Sequence, residues 1–368
     1  MKEELLKKIE ELKDFFTMRS RPTLDTDQLE AVWDQSNTTL VIAGAGTGKT
    51  TVIVEKIQSL LHQGVVPEKI LAITYTKKAS QEMEKRVRNK NIQISTIHSF
   101  CFRLLRECEG KESLCDIAAG FATGQGFDQL IIRAIKLLKT IQTRFEYILV
   151  DEYQDIDSNQ HELISLLSKG HKLFVVGDDD QSVYGFRGSK LKYITKFQDY
   201  HPGAQVIQLT HNYRCPKNIF ELATKTISKN KKRIPKEIKT MKPDGVIINL
   251  SYLNEWKEAE GIIQEIQSLS CPLEEVAVIY RHHKRGEVIK ILAQMHELPH
   301  SSDRKVKRGV SLLTWHSAKG LEFDTVFVLD NNKKSFTKRY PNEEEERRVQ
   351  YVALTRTKNR LYLSSTQT

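Results

Sequence analysis

Leu40-Val41-Ile42-Ala43-Gly44-Ala45-Gly46-Thr47-Gly48-Lys49-Thr50 is the stretch that decides how this chain reads. Its four leading apolar residues fit a short buried strand. The glycine-rich segment that follows punctuates it as a turn. A helical pattern then runs from Lys49 through about Leu61. Strand, Gly-rich turn and helix in that order are the context of a phosphate-binding loop. Glycines let backbone amides wrap phosphate oxygens with no side chain in the way. Lys49 supplies positive charge to the β- and γ-phosphates, and the Thr50 hydroxyl can ligand Mg²⁺. The expected phosphate-binding set is Ala45, Gly46, Thr47, Gly48, Lys49, Thr50 and Thr51.

Outward from that loop, Ile70–Ile73, Tyr147–Val150 and Leu173–Val176 are further apolar strands with helical stretches between them. The alternation returns after about residue 210, with strands at Val276–Tyr280, Val310–Leu313 and Thr325–Leu329. Strands alternating with helices imply parallel sheets covered on both faces, hence an α/β chain of two domains. The boundary is expected near Leu209-Thr210. The first domain takes residues 1–98 and 146–209, residues 99–145 form a small helical insertion, and the second domain takes 210–368. Asp151-Glu152 ends the strand Tyr147–Val150, where a carboxylate lies beside the phosphate loop. Asp151 is therefore the expected Mg²⁺ ligand with Thr50, and Glu152 the group that orients or deprotonates a water.

Composition is compatible with this and excludes other classes. With 39% hydrophobic and 28% charged residues the chain reads as globular rather than disordered. No apolar run approaches the roughly 20 residues needed to cross a membrane. The charged, amphipathic N-terminus, read as a helix over residues 2–16, is not a secretory signal. A cytoplasmic or nucleoid-associated protein is expected. The net charge of +10 favours a polyanionic partner. The basic run from Lys225 to Lys242 leaves two readings open, a solvated face and a nucleic-acid contact. Cys101, Cys108 and Cys115 recur at intervals of seven but have no close fourth ligand, so reduced thiols are expected rather than a metal site or disulfides.

Ordered along the chain, these residues and others resemble the motif set of the superfamily 1 helicases typified by UvrD, Rep and PcrA. Leu24 to Gln28 resembles the adenine-reading motif, with Gln28 as reader. Thr74-Tyr75-Thr76-Lys77-Lys78-Ala79 and Thr96-Ile97-His98-Ser99-Phe100 resemble motifs Ia and Ib. Asp151 to Asp155 resembles motif II, and Gly177 to Gly188 motif III. Asn212-Tyr213-Arg214, Thr314 to Phe323, and Glu345 to Arg356 resemble motifs IV, V and VI.

The resemblance implies two RecA-like parallel-sheet motor domains with ATP in the cleft between them. It makes Lys49, Asp151, Glu152, Gln181, Arg214 and Arg356 the catalytic set, with Gln181 as γ-phosphate sensor and the two arginines as fingers. Tyr213 becomes the adenine stacker, and Glu322 a second-domain contact to the nucleotide. Tyr75, His98, Tyr184, Phe186 and His316 line the DNA track. The implied activity is ATP-driven translocation on single-stranded DNA and its junctions with duplex, 3′ to 5′, using ATP and Mg²⁺. A monomer is expected, with room for an accessory protein. A nucleotide-switched DNA-binding subunit of a larger complex is the competing class, and an RNA motor a third.

Two departures qualify that expectation. Phe186 stands where the family usually has tryptophan, which keeps a stacking face but gives up area and the indole N–H. The two large accessory domains are also missing, the first reduced to residues 99–145 and the second absent between Ser301 and Gly309. The engine is therefore expected to be complete and strand separation modest.

Overall fold

The computed structural model describes residues 23–110, 126–302, 308–329 and 342–367. The expected helix over residues 2–16 and Cys115 lie outside them. The chain divides into two compact units. The first takes the residues up to Ala43, Gly48–Gly177 and Lys196–Thr210. The second takes Gly44–Thr47, Asp178–Thr195 and the residues from His211 onward.

The first unit is built on β1 (Thr38–Ala43), β2 (Ile70–Thr74), β3 (Gln93–Thr96), β4 (Tyr147–Val150), β5 (Lys172–Gly177) and β6 (Gln205–Leu209). They form one sheet in the order β3-β2-β4-β5-β1-β6, every pairing parallel. Continuous apolar strands such as Leu40–Ala43 suit its centre, where both faces are covered. Around it lie α1 (Thr26–Trp33), α2 (Lys49–His62), α3 (Lys77–Val87), α4 (Ile97–Glu109), α5 (Gly126–Leu138) and α6 (Ser158–Leu167). Val41, Ile53, Ile57, Leu149 and Phe174 belong to one buried cluster. Each such side chain contributes about 1.5–3 kcal/mol by leaving water. A capping box starts α1: Gln28 N donates to Asp25 Oδ1 (2.8 Å) and Asp25 N to Gln28 Oε1 (3.2 Å). Gln28 is thus fixed by the helix start it helps to make.

The second unit has its own six-stranded sheet of β9 (Val246–Tyr252), β10 (Val276–Tyr280), β11 (His300–Ser301), β12 (Val310–Thr314), β13 (Phe323–Val328) and β14 (Thr357–Thr366). The order is β11-β12-β10-β13-β14-β9, again all parallel. β7 (His211–Pro216) and β8 (Lys239–Lys242) make a separate parallel pair. Its main helices are α7 (Lys217–Ile227), α8 (Glu255–Ser268), α9 (His283–Met295) and α10 (Glu343–Leu354). Ile262, Val278, Leu312, Phe327 and Tyr362 are buried together, the last two rings stacked at 4.2 Å. Arg281, just past β10, pairs with Glu346 of α10 through two nitrogens (2.8 and 2.5 Å), fixing α10 against the sheet.

Cys101 is buried and Cys108 exposed, both as free thiols. Burial pushes the Cys101 thiol up to about 12. No cysteine joins a metal-type cluster among the described residues. No helix among them is long and apolar enough to cross a membrane.

Candidate nucleotide site and nucleic-acid interface

In the first unit, Gly48 stands at the N-cap of α2 with φ 89°. That left-handed conformation favours glycine. A β-carbon there would also stand 2.7 Å from Gln28 Nε2, so the glutamine closes directly on the end of the loop. No side chain caps α2, and its first turn holds no carboxylate. Such a helix start suits an anion. Lys49 Nζ donates to the carbonyl of Ala43 (3.0 Å), which keeps its ammonium at the end of β1. Thr50 is half-buried. Thr51 Oγ1 accepts from Arg86 (3.0 Å).

Asp151 follows β4 and is 6% exposed. Its Oδ1 accepts from Glu152 N (2.9 Å). Glu152 has φ 53°, an uncommon conformation for a residue with a β-carbon. Backbone outliers of this kind cluster at working sites. Its carboxylate also accepts a hydrogen bond from the Gln154 side-chain amide. An amide partner orients a carboxylate without giving it a proton. The donor set of a half-buried hydroxyl (Thr50) and a buried carboxylate (Asp151) is all oxygen, as Mg²⁺ requires.

The second unit contains the rest of the loop. Asn212 Nδ2 donates to Ala45 O (2.6 Å), and Tyr213 N donates to Gly46 O (2.9 Å). Gly46 has φ 74°, and a β-carbon on it would meet Arg214 Cβ at 2.7 Å and Asn212 Oδ1 at 2.8 Å. Only glycine allows that approach. Arg214 Nε donates to Glu322 Oε2 (2.7 Å). Burial alone would raise the Glu322 carboxyl, but Arg214, with Lys358 and Arg356 nearby, outweighs it and holds the group below the usual carboxylate range. Tyr213 is 43% exposed, open enough to take a flat ring.

Arg356 is fully buried and donates to the carbonyls of Val352 (2.8 Å) and Leu321 (3.1 Å) and to Thr355 Oγ1 (3.0 Å). Its second terminal nitrogen lies 3.5 Å from Gln181 Oε1, at the far limit of a hydrogen bond. Gln181 is held on its other sides: its side-chain nitrogen donates to Asp178 Oδ2 (2.6 Å), and Lys319 Nζ donates to its carbonyl (2.8 Å).

The expected base stackers separate. Phe186 is 64% exposed, with His316 edge-on at 5.4 Å. Tyr184 is 7% exposed, with Lys319 and Arg187 over its ring at 5.2 and 5.1 Å. Arg187 also lies over the Phe186 ring at 5.4 Å, so both rings carry a cation and Phe186 is the more exposed of the two. Burial, with Arg281 and Arg187 nearby, lowers the His316 imidazole to about 4, so it is neutral at pH 7. In the first unit, Tyr75 is half-buried, and His98 lies edge-on to Phe127 at 5.1 Å. A groove beside His98 is lined by Phe102, Arg103, Arg106 and Phe127, with both phenylalanines exposed. Rings interleaved with arginines are the chemistry of single-strand binding.

Part of the basic run is internal rather than solvated. Arg233 binds Asp180 through two nitrogens (2.9 and 2.6 Å), and the Lys236 side chain is 3% exposed. Sequence reasoning assigned no role to Gln154, Asn212, Lys319, Phe102 or Arg103. Asn212 and Lys319 lie inside quoted motifs and were within reach. Gln154 becomes visible only once the backbone turns at Glu152.

A family model described as "AAA domain" matches residues 28–187. A second, described as "UvrD-like helicase C-terminal domain", matches 207–301 and 286–368. The putative ATP-dependent DNA helicase YjcD of Bacillus subtilis is 31% identical over 374 aligned residues, covering 77% of this chain and 49% of the relative. The ATP-dependent DNA helicase PcrA of Staphylococcus aureus is 30% identical over 367, covering 76% and 50%. The chain thus spans about half the length of the curated relatives it matches.

Proposed function

The chain belongs to the UvrD-like superfamily 1 helicases, with two RecA-like sheets, and from that premise we propose that it is an ATP-driven motor on single-stranded DNA. The proposal covers 3′ to 5′ polarity, a preference for single-strand/duplex junctions and only modest unwinding. Residues 1–98 with 146–209 and residues 210–368 act as the two motor domains, and 99–145 as a reduced insertion. The observation that most supports this reading is the grip of Asn212 and Tyr213 on the carbonyls of Ala45 and Gly46. It puts Arg214 beside a loop whose glycine geometry is that of a phosphate cradle.

In this reading Gln28 reads the adenine edge and Tyr213 stacks on its face. Lys49 and the first amides of α2 bind the phosphates. Thr50 and Asp151 hold Mg²⁺, which supplies charge neutralisation at the phosphates. Glu152, oriented by Gln154, takes the proton of the attacking water. Arg214 and Arg356 stabilise charge developing on the transferred group, and Gln181 reports its presence to the loop that carries Phe186. Arginines in this position contribute on the order of 10³–10⁵ in rate. Phe186, His98 and the Phe102/Phe127 groove hold bases without reading sequence.

The test is steady-state ATP hydrolysis with and without single-stranded DNA, with RNA as a third arm and Glu152→Gln as control. Strong stimulation by DNA, lost in the variant, is expected. Hydrolysis indifferent to DNA would overturn the motor, and stimulation by RNA alone would change its track.

A further inference from the structure

Three consecutive carboxylates, Asp178, Asp179 and Asp180, are each at most 1% exposed. Their oxygens lie within 4.8 Å of one another, as in a metal site. An ammonium is there instead. Lys236 Nζ is 3.1 Å from Asp178 Oδ1, 2.9 Å from Asp180 Oδ2, and in contact with Asp179. Arg233 adds its two-nitrogen grip on Asp180, and Ile234 N donates to Asp179 Oδ2 (2.8 Å). Taking three charges out of water costs far more than exposed charge would unless counter-charge sits within bonding distance. Lys236 and Arg233 supply it. Burial pulls the Lys236 ammonium down, but the three carboxylates outweigh burial and raise it, so it stays charged across the working range.

The segment that brings these two cations is stitched to α10 as well. Asn230 Nδ2 donates to Glu344 O (2.8 Å), Lys231 N to Glu344 Oε1 (2.8 Å), and Arg348 Nη2 to Lys232 O (2.6 Å). On the other side, Asp178 binds the Gln181 side chain (2.6 Å), and residues 182–187 run on to Tyr184 and Phe186. One chain of strong contacts therefore links α10, Lys236, Asp178 and Gln181.

We propose that Lys236 and Arg233 are positioning residues, an internal cation lock that offsets most of the charge of the Asp178–Asp180 turn and so holds Gln181 and the Phe186 loop in register with α10. This rests on the ATPase reading above, because the consequence of the lock is coupling of hydrolysis to DNA. Neither residue touches nucleotide or DNA in this account.

The test has two layers on the intact chain. The first is a thermal-unfolding double-mutant cycle of Lys236→Met with Asp179→Asn. Removing the lysine alone strands the carboxylates and lowers the melting temperature sharply. Removing one carboxylate as well restores part of it. Additive effects would overturn the lock. The second layer compares Lys236→Met, Lys236→Arg and wild type in ATP hydrolysis at temperatures where all are folded. Lys236→Met is expected to lose about tenfold or more of its DNA-stimulated kcat with KM for ATP little changed, as for a misplaced transition-state group. Lys236→Arg, which keeps the charge, should recover most of it. A folded Lys236→Met with full DNA stimulation overturns the positioning role. So does one whose defect is a raised Kd for DNA that saturating DNA cures, which would make the lysine a DNA contact. A wild type that does not respond to DNA breaks the functional reading instead, and shows it before any variant is compared.

Discussion

Two acidic runs follow neighbouring strands, Asp151-Glu152 after β4 and Asp178-Asp179-Asp180 after β5, and the protein treats them in opposite ways. At the first, a left-handed backbone turns Glu152 and an amide orients it. At the second, an ammonium and a guanidinium bind the three carboxylates directly. In the reading proposed above, a carboxylate of the first run binds a metal or takes a proton. One that only shapes a turn is best saturated. The two runs look alike as residues and differ in the partners the fold gives them.

The largest expected effect breaks the comparison at the first run. Glu152→Gln keeps shape and hydrogen-bonding capacity but cannot take a proton. Hydrolysis at saturating DNA should fall by on the order of 10²–10⁴, with little change in melting temperature. A loss under tenfold would mean that Glu152 is not the base. The same exchange at the second run should do the reverse. Asp180→Asn leaves Arg233 facing a neutral amide in a site where the carboxylate is 1% and the arginine side chain 16% exposed. Breaking a buried pair by removing one member costs about 3 kcal/mol or more. Chemical denaturation should show that loss, and a variant as stable as wild type would mean the run is not saturated by its cations.

How much of this was legible in the sequence follows from where strands lie in the sheets. The predicted Leu40–Ala43, Ile70–Ile73, Tyr147–Val150 and Leu173–Val176 are β1, β2, β4 and β5, the four inner strands of the first sheet. Val276–Tyr280, Val310–Leu313 and Thr325–Leu329 are β10, β12 and β13, inner strands of the second. Inner strands of parallel sheets are apolar on both faces and announce themselves. The edges β6, β9 and β11 do not, because one side of an edge strand meets solvent and its pattern is mixed; β3 is buried over Gln93–Ser95 but is short and half polar. In β6, Gln205, Val206 and Gln208 are exposed. β14 was missed for another reason. Its first half, Thr357-Lys358-Asn359-Arg360, is polar, and its pairing with β9 depends on a partner more than a hundred residues away.

The site divides in the same way. Loops written in glycine and in fixed spacing were legible. Charge partners were not, because Arg233 and Lys236 lie over fifty residues from the aspartates they bind. A basic run read alone looks like a surface.

A smaller effect sharpens what the locked run is for. If the Asp178–Asp180 turn serves to present one open ring, Phe186→Ala should weaken single-stranded DNA binding by about 1–3 kcal/mol, the usual range for one stacked base. Fluorescence anisotropy would show it, with melting temperature unchanged because the ring is 64% exposed. Tyr184→Leu, which removes the ring beneath its two cations, should leave affinity near wild type. Equal losses from the two changes would mean that both rings stack.

The smallest effect is in the pH profile of stability, where the two sides of this platform oppose each other. His316 is lowered to about 4 from an ordinary 6.5, so the unfolded chain takes up a proton first as pH falls. Its contribution is fully present above pH 6.5 and is lost as pH drops toward 4. Asp179 is raised to about 6 from 3.8, chiefly by burial, so there the folded chain takes up the proton first. Its contribution grows as pH falls from about 6 toward 4 and is lost as pH rises through 6. The two windows overlap with opposite signs, and single variants separate them. His316→Asn should then make the melting temperature rise relative to wild type as pH is lowered through that window, and Asp179→Asn should make it fall, each by about a few degrees. Parallel slopes in the two variants would mean that the imidazole and the carboxylate do not titrate as separate devices, and that the lock and the stacking ring share one proton-linked opening.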